Sequence, residues 1–211
     1  MKRILLVLAL VCLATAAFAS DLSVGVGASG SYYSSDFKVS GGGSTSDSVA
    51  TAIPFNFMAY VDITYLQVAV GYRMVDGFHI KTDSGSSDDK SKYSYVSFAG
   101  YGKFPLQLGS ITLIPMVGIE YDLTISATDD SGNEANSSQR SDLNSLWIKG
   151  GLGAEISITP EVYIRPELLL GYQLNNQSER DAIDYIKSLG ASDASILTLN
   201  FELAVLLGVR L

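Results

Sequence analysis

Leu197-Thr198-Leu199-Asn200-Phe201-Glu202-Leu203-Ala204-Val205-Leu206-Leu207-Gly208-Val209-Arg210-Leu211 is the stretch on which the fold turns. Leu197, Leu199, Phe201, Leu203, Val205, Leu207, Val209 and Leu211 fall on one side of a two-residue period. Thr198, Asn200, Glu202, Ala204, Gly208 and Arg210 fall on the other. Such alternation describes a β-strand with one apolar and one polar face.

Seven further segments carry the same period. Leu22 to Ala28 alternates with Ser23, Gly25 and Gly27, and Ile53 to Val61 alternates around Phe55 and Phe57. Leu66 to Met74, Ile111 to Leu123, Leu146 to Ile156 and Val162 to Tyr172 continue the pattern. Residues 93–104 hold a segment of ambiguous phase, with Val96 and Phe98 against Tyr95 and Ser97. The connections alternate in length. Short ones lie near Asp62–Thr64, Pro105–Gly109 and Thr159–Glu161, and long polar ones near 34–50, 76–91, 125–142 and 175–194. Eight strands with short turns at one end and long loops at the other predict an all-β, eight-stranded antiparallel up-and-down transmembrane β-barrel.

Alternation leaves open which face points outward, since a soluble lipocalin-like lipid carrier would place the apolar face inside. Composition decides. The polar phase is mainly Gly, Ser, Thr, Ala and Asn with a few charges of both signs, which suits a narrow filled lumen. A solvated exterior would carry more Lys and Glu, yet charged residues make up only 17% of the chain. The apolar phase is nearly free of charge, as lipid contact requires. Tyr32, Tyr121 and Tyr172 each stand ten positions after the first outward residue of their strand (Leu22, Ile111, Val162), and Tyr72 ends the remaining ascending strand in the same phase. Ten tilted residues cover about 25 Å along the membrane normal. These four tyrosines read as an interfacial aromatic girdle.

The start of the sequence reads as an export leader. Lys2-Arg3 is a positive region, Ile4 to Leu13 is apolar, and Ala17-Phe18-Ala19 offers a small-x-small cleavage pattern. Residues 1–19 are therefore expected to be a signal peptide and 20–211 the barrel domain. Removing Lys2 and Arg3 takes the net charge from −8 to −10, which disfavours an electrostatic nucleic-acid binder. Cys12, the single cysteine, lies in this leader, and with one histidine the common zinc sites are excluded.

Leader, eight strands, girdle and loop asymmetry together make the chain resemble the small bacterial outer-membrane β-barrel superfamily, the OmpX/OmpA-type eight-stranded barrels. One departure is Leu211, where many such proteins end in Phe. The resemblance implies an integral protein of the cell outer membrane with a structural or surface-interaction role, in adhesion or envelope integrity. Its implied partners are outer-membrane lipids, lipopolysaccharide or its equivalent, the outer-membrane assembly machinery, and a surface ligand met by the four long loops. No cofactor is called for.

Candidate chemistry sits in three places. Arg73, Glu120, Lys149, Glu155, Arg165, Glu167, Glu202 and Arg210 fall in the inward phase, as a neutralising network or, alternatively, the lining of a narrow channel. An eight-stranded interior is just wide enough for side chains to fill, which favours the network. His79 is the sole imidazole, near Ser84, Ser86 and Ser87. Some barrels of this superfamily modify lipid A with a His and a Ser near the outer leaflet, so His79 is the weak candidate for a catalytic base. The loops remain. Ser40-Gly41-Gly42-Gly43-Ser44 and Asp83 to Asp89 read as mobile low-complexity loops. Asp129 to Glu134 is acidic but has its glycine misplaced for a calcium loop. Ser178 with Asp181 predicts the cap of an amphipathic helix running to Gly190.

Overall fold

The computed structural model describes residues 22–41, 44–174 and 176–211. The expected leader, residues 1–19 with Cys12, and the loop residues Gly42 and Gly43 lie outside them.

Among the described residues ten strands and two helices follow one another: β1 (Leu22–Gly41), β2 (Ser44–Ala52), β3 (Phe55–Ile63), β4 (Leu66–Thr82), β5 (Gly85–Lys103), β6 (Leu106–Leu108) and β7 (Ile111–Thr128). After them come α1 (Ser137–Asp142), β8 (Ser145–Ser157), β9 (Val162–Leu174), α2 (Gln177–Ser188) and β10 (Asp193–Arg210). They make eight staves. Pro54, which cannot donate to a ladder, divides β2 from β3 within one stave. Pro105 divides β5 from β6 in another. Every stave is antiparallel to its neighbours, and β10 returns to β1, with Tyr32 opposite Phe201 and Val24 opposite Val209. The ring of eight is thus complete, with no exposed edge to satisfy.

The two faces follow the sequence alternation. Along β10, Leu199, Phe201, Leu203, Val205 and Leu207 are exposed on the outside, while Thr198, Asn200, Glu202, Ala204 and Leu206 are buried within. Tyr95 and Ser97 of β5 face inward and Phe98 faces outward, which fixes the phase that the sequence left ambiguous. A bulge shifts the β5–β7 register between Ser94 and Tyr95.

The long connections differ from their expected form. Residues 34–50 and 76–91 are not loose loops in the main. β1 pairs with β2 out to Gly41 opposite Ser44, and β4 pairs with β5 out to Thr82 opposite Gly85. A membrane crossing takes only ~9–11 residues, so the 20-residue β1 and 17-residue β4 extend well beyond it as paired ribbons. Val49, Thr51 and Ile80 lie within these ribbons and supply β-propensity that the surrounding Ser and Gly obscured. Gly77, at φ +84°, takes up a bulge where β4 leaves the barrel rim.

The expected amphipathic helix is α2, but its cap lies earlier than Ser178. Asn176 accepts from the Glu179 N–H at 2.8 Å while Glu179 accepts from the Asn176 N–H at 2.9 Å. That capping box outcompetes Ser178 with Asp181 because both of its partners close on each other. Gly190, at φ +99°, ends the helix.

Candidate functional site: an ion-paired lumen

Alternation sends one polar side chain per two residues into a barrel too narrow for water to solvate them, so each charge must find its partner across the lumen. Two clusters result. In the upper one Arg73 on β4 donates from Nη1 to Asp122 at 2.5 Å and pairs through Nη2 with Glu120. Lys149 on β8 bridges Glu120 at 2.9 Å and Glu202 at 2.6 Å. Neutral donors add to the shell: Ser29 to Glu202 at 2.6 Å, Tyr101 to Glu120 at 3.2 Å and the Trp147 indole to Asp122 at 2.9 Å.

In the lower cluster Arg165, wholly buried, donates to Asp62 at 2.6 Å and Gln67 at 2.6 Å, and its Nε lies 2.9 Å from Glu167. Lys103 pairs with the other oxygen of Asp62. Tyr60 and Tyr163 flank the Arg165 guanidinium at 5.4 and 5.7 Å, adding cation–π contact. Arg210 closes the short-turn rim, donating to Glu155 at 2.6 Å and to the Pro160 carbonyl at 2.8 Å.

Ile114, Met116, Leu169, Ala204 and Leu206 pack into an apolar cluster with Tyr60, Tyr101 and Tyr163 in the same lumen. A cavity bordered by Glu120, Glu167 and Glu202 measures about 10 Å³, room for a single water. The arrangement pairs each buried cation with carboxylates and fills space.

Sequence reasoning missed several members. Asp62 falls where a short turn was expected, yet β3 continues to Ile63 and points it inward. Lys103 belongs to the segment of ambiguous phase. Asp122 and Trp147 were in the polar phase but gave no sign of their bond, since cross-strand partners depend on stagger. Tyr32, Tyr72, Tyr121 and Tyr172 are exposed on the outer face, and Tyr72 donates to Ser94 at 3.2 Å.

His79 lies in the β4–β5 ribbon, opposite Asp88, with its Nδ1 2.8 Å from the Asp88 carboxylate and both side chains exposed. Ser84 instead bonds Thr82 at 3.1 Å, and none of Ser84, Ser86 and Ser87 is hydrogen-bonded to His79 among the described residues. The geometry gives His79 a carboxylate but no nucleophile. In the third loop Asp129 accepts from the Ser131 and Asn133 N–H groups at 2.9 and 2.8 Å and from Asn133 Nδ2 at 3.0 Å. Those bonds hold its carboxyl below the usual range. The acidic run is a self-capped turn, with Gly132 at φ +85°.

Residues 5–200 match the model of the outer membrane protein beta-barrel domain family. No curated protein matches the sequence. Among solved structures the chain is similar to Neisserial surface protein A, at 14% identity over 87% of this chain and 97% of that one, TM-score 0.46. It is similar to OprG from Pseudomonas aeruginosa, at 12% identity over 92% and 96%, TM-score 0.46. It is also similar to Ail, the attachment invasion locus protein of Yersinia pestis, solved with the heparin analogue sucrose octasulfate, at 13% identity over 88% and 99%, TM-score 0.29.

Proposed function

The chain belongs to the outer membrane protein β-barrel family, and from that premise we propose that it is a sealed barrel whose work is done at the outer surface, in attachment and envelope integrity. The observation that carries this reading is the lumen itself. Arg73, Lys149 and Arg165 are each engaged by two or more carboxylates, and the cavity beside Glu120, Glu167 and Glu202, about 10 Å³, is too small for more than a single water. A barrel that spends its inward positions on neutralisation has its outer ribbons and loops left to meet other molecules.

Export depends on residues 1–19, cleaved after Ala19. The apolar exterior and the tyrosine girdle engage outer-membrane lipid. The acidic ribbons and loops stand solvated among lipopolysaccharide or an equivalent anionic leaflet bridged by divalent ions.

The test is shortening of the β1–β2 and β4–β5 ribbons to their girdle ends in cells expressing the full chain. Attachment to surfaces and survival in detergent would be measured beside heat-modifiability of the barrel on gels. Loss of either property with the barrel intact supports the reading. Unchanged attachment and survival would overturn it.

A further inference from the structure

Above the upper ion cluster the barrel mouth opens into a vestibule of about 210 Å³. Its wall is aromatic. Trp147, Tyr33, Phe78 and Tyr93 form a chain of edge-to-face contacts with ring centroids 6.0, 6.1 and 5.6 Å apart, and Tyr95 stacks on Tyr93 at 6.4 Å. Phe78 and Tyr93 carry the chain across the β4–β5 ribbon, so these rings come from elements far apart in sequence. Trp147 is buried and the other four rings are partly exposed. Here they border an open cavity.

The electrostatics around that cavity are one-sided. Arg73 and Lys149 face three carboxyl groups, Glu120, Asp122 and Glu202, so the cluster beneath the vestibule holds one more acidic group than basic ones. Arg73 also borders the cavity: its two Nη atoms are engaged by the three carboxylates, while its Nε has no hydrogen-bond partner among the described residues. Glu179 borders the cavity from α2 and is met by neutral partners, Gln173 at 3.0 Å and Thr198 at 3.3 Å. Two buried lining residues have an unused acceptor. Asp122 and Asn200 are 2% and 3% exposed, and Oδ1 of each has no hydrogen-bond partner among the described residues. Unpartnered buried acceptors are costly unless something donates to them.

We propose that this vestibule is a binding site for a small organic cation, a quaternary or protonated amine. Aromatic faces attract the cation through their quadrupoles. The surplus carboxyl group and Glu179 supply counter-charge, and a protonated amine can in addition donate to the free oxygens. A neutral ligand would gain only the apolar contact, and an anion would meet the excess of acidic groups. The site stands independently of the attachment role.

Trp147 is the sole tryptophan of the chain and lines the cavity, so its fluorescence reports occupancy directly. The experiment titrates choline into the full-length protein folded in a maltoside detergent, beside the uncharged isostere 3,3-dimethylbutanol. A saturable change with choline, at least roughly tenfold weaker with the isostere, is expected. A phosphocholine detergent in place of free choline tells a lipid headgroup from a soluble amine. Response to either supports the cation site. Tyr33→Leu and Tyr95→Leu should each weaken the response several-fold while heat-modifiability is retained. Asn200→Leu provides a second, uncharged probe of the floor. Equal response to choline and to the isostere, or a response unaltered by all three substitutions, would overturn the proposal, as would no saturable response to any of the probes.

Discussion

Lys149 and Glu202, on β8 and β10, meet across the lumen with Nζ 2.6 Å from the carboxylate, and the same ammonium reaches Glu120 on β7 at 2.9 Å. One wholly buried lysine thereby ties together three staves. Lys149→Met strands two carboxylates with only Arg73 to share, and should destabilise the barrel by about 3–5 kcal/mol. Urea unfolding in lipid vesicles measures this. Adding Glu202→Leu removes one of the stranded charges, so the double variant should recover part of the loss.

The lower lumen depends on glycine for a different reason. Gly25 and Gly208 lie against the rings of Tyr60 and Tyr163, and a Cβ at Gly208 would come within 2.2 Å of Tyr163 Cζ and 2.5 Å of the Tyr60 hydroxyl. Gly208→Ala should cost about 1–3 kcal/mol by overpacking. Tyr163→Leu in the same chain removes the nearer clash and should return part of it, read from the same unfolding curves.

Leu203 stands on the exposed face of β10, six residues from Val209 and four from Leu199. Leu203→Arg should cost about 2–4 kcal/mol in a bilayer, the penalty for a cation near the membrane midplane. A much smaller penalty in vesicles would place Leu203 away from the hydrocarbon.

Asp129 offers a pH test outside the membrane. Hydrogen bonds from Asn133, and from the Ser131 and Gly132 N–H groups, hold its carboxyl below the ordinary value of ~3.9. Because the folded value is the lower one, the turn's stabilisation is present above the unfolded value and is lost as pH falls through the folded value. Asn133→Ala removes the side-chain donor and should move the Asp129 titration upward, as followed by carboxyl carbon NMR. No movement would show that the backbone donors alone hold it.

Much of the fold is legible in the sequence because a two-residue period assigns every side chain to a face. Glu120, Lys149, Arg165 and Glu202 could be sorted inward from their neighbours alone. Pairing could not. Which charge meets which depends on the stagger between staves, and stagger is set by bulges such as Ser94/Tyr95 that no local pattern announces. Asp62 was hidden by an early turn assignment, and Lys103 by an uncertain phase. The outer ribbons were obscured for a different reason: their Ser- and Gly-rich composition matches that of loops, and only the register Ser35 opposite Ala50 and Lys81 opposite Ser86 makes them strands. The vestibule needed Tyr33, Tyr93 and Trp147 from three separate staves, a juxtaposition that exists only once the ring is complete.

The central claim is that the lumen is sealed by its own charges. Current recorded from the purified, folded protein in planar bilayers tests it most directly. The account predicts a silent membrane across a wide range of voltage and salt. Sustained, reproducible single-channel steps would contradict it and show that Arg73, Lys149 and Arg165 line a path for ions instead of closing one.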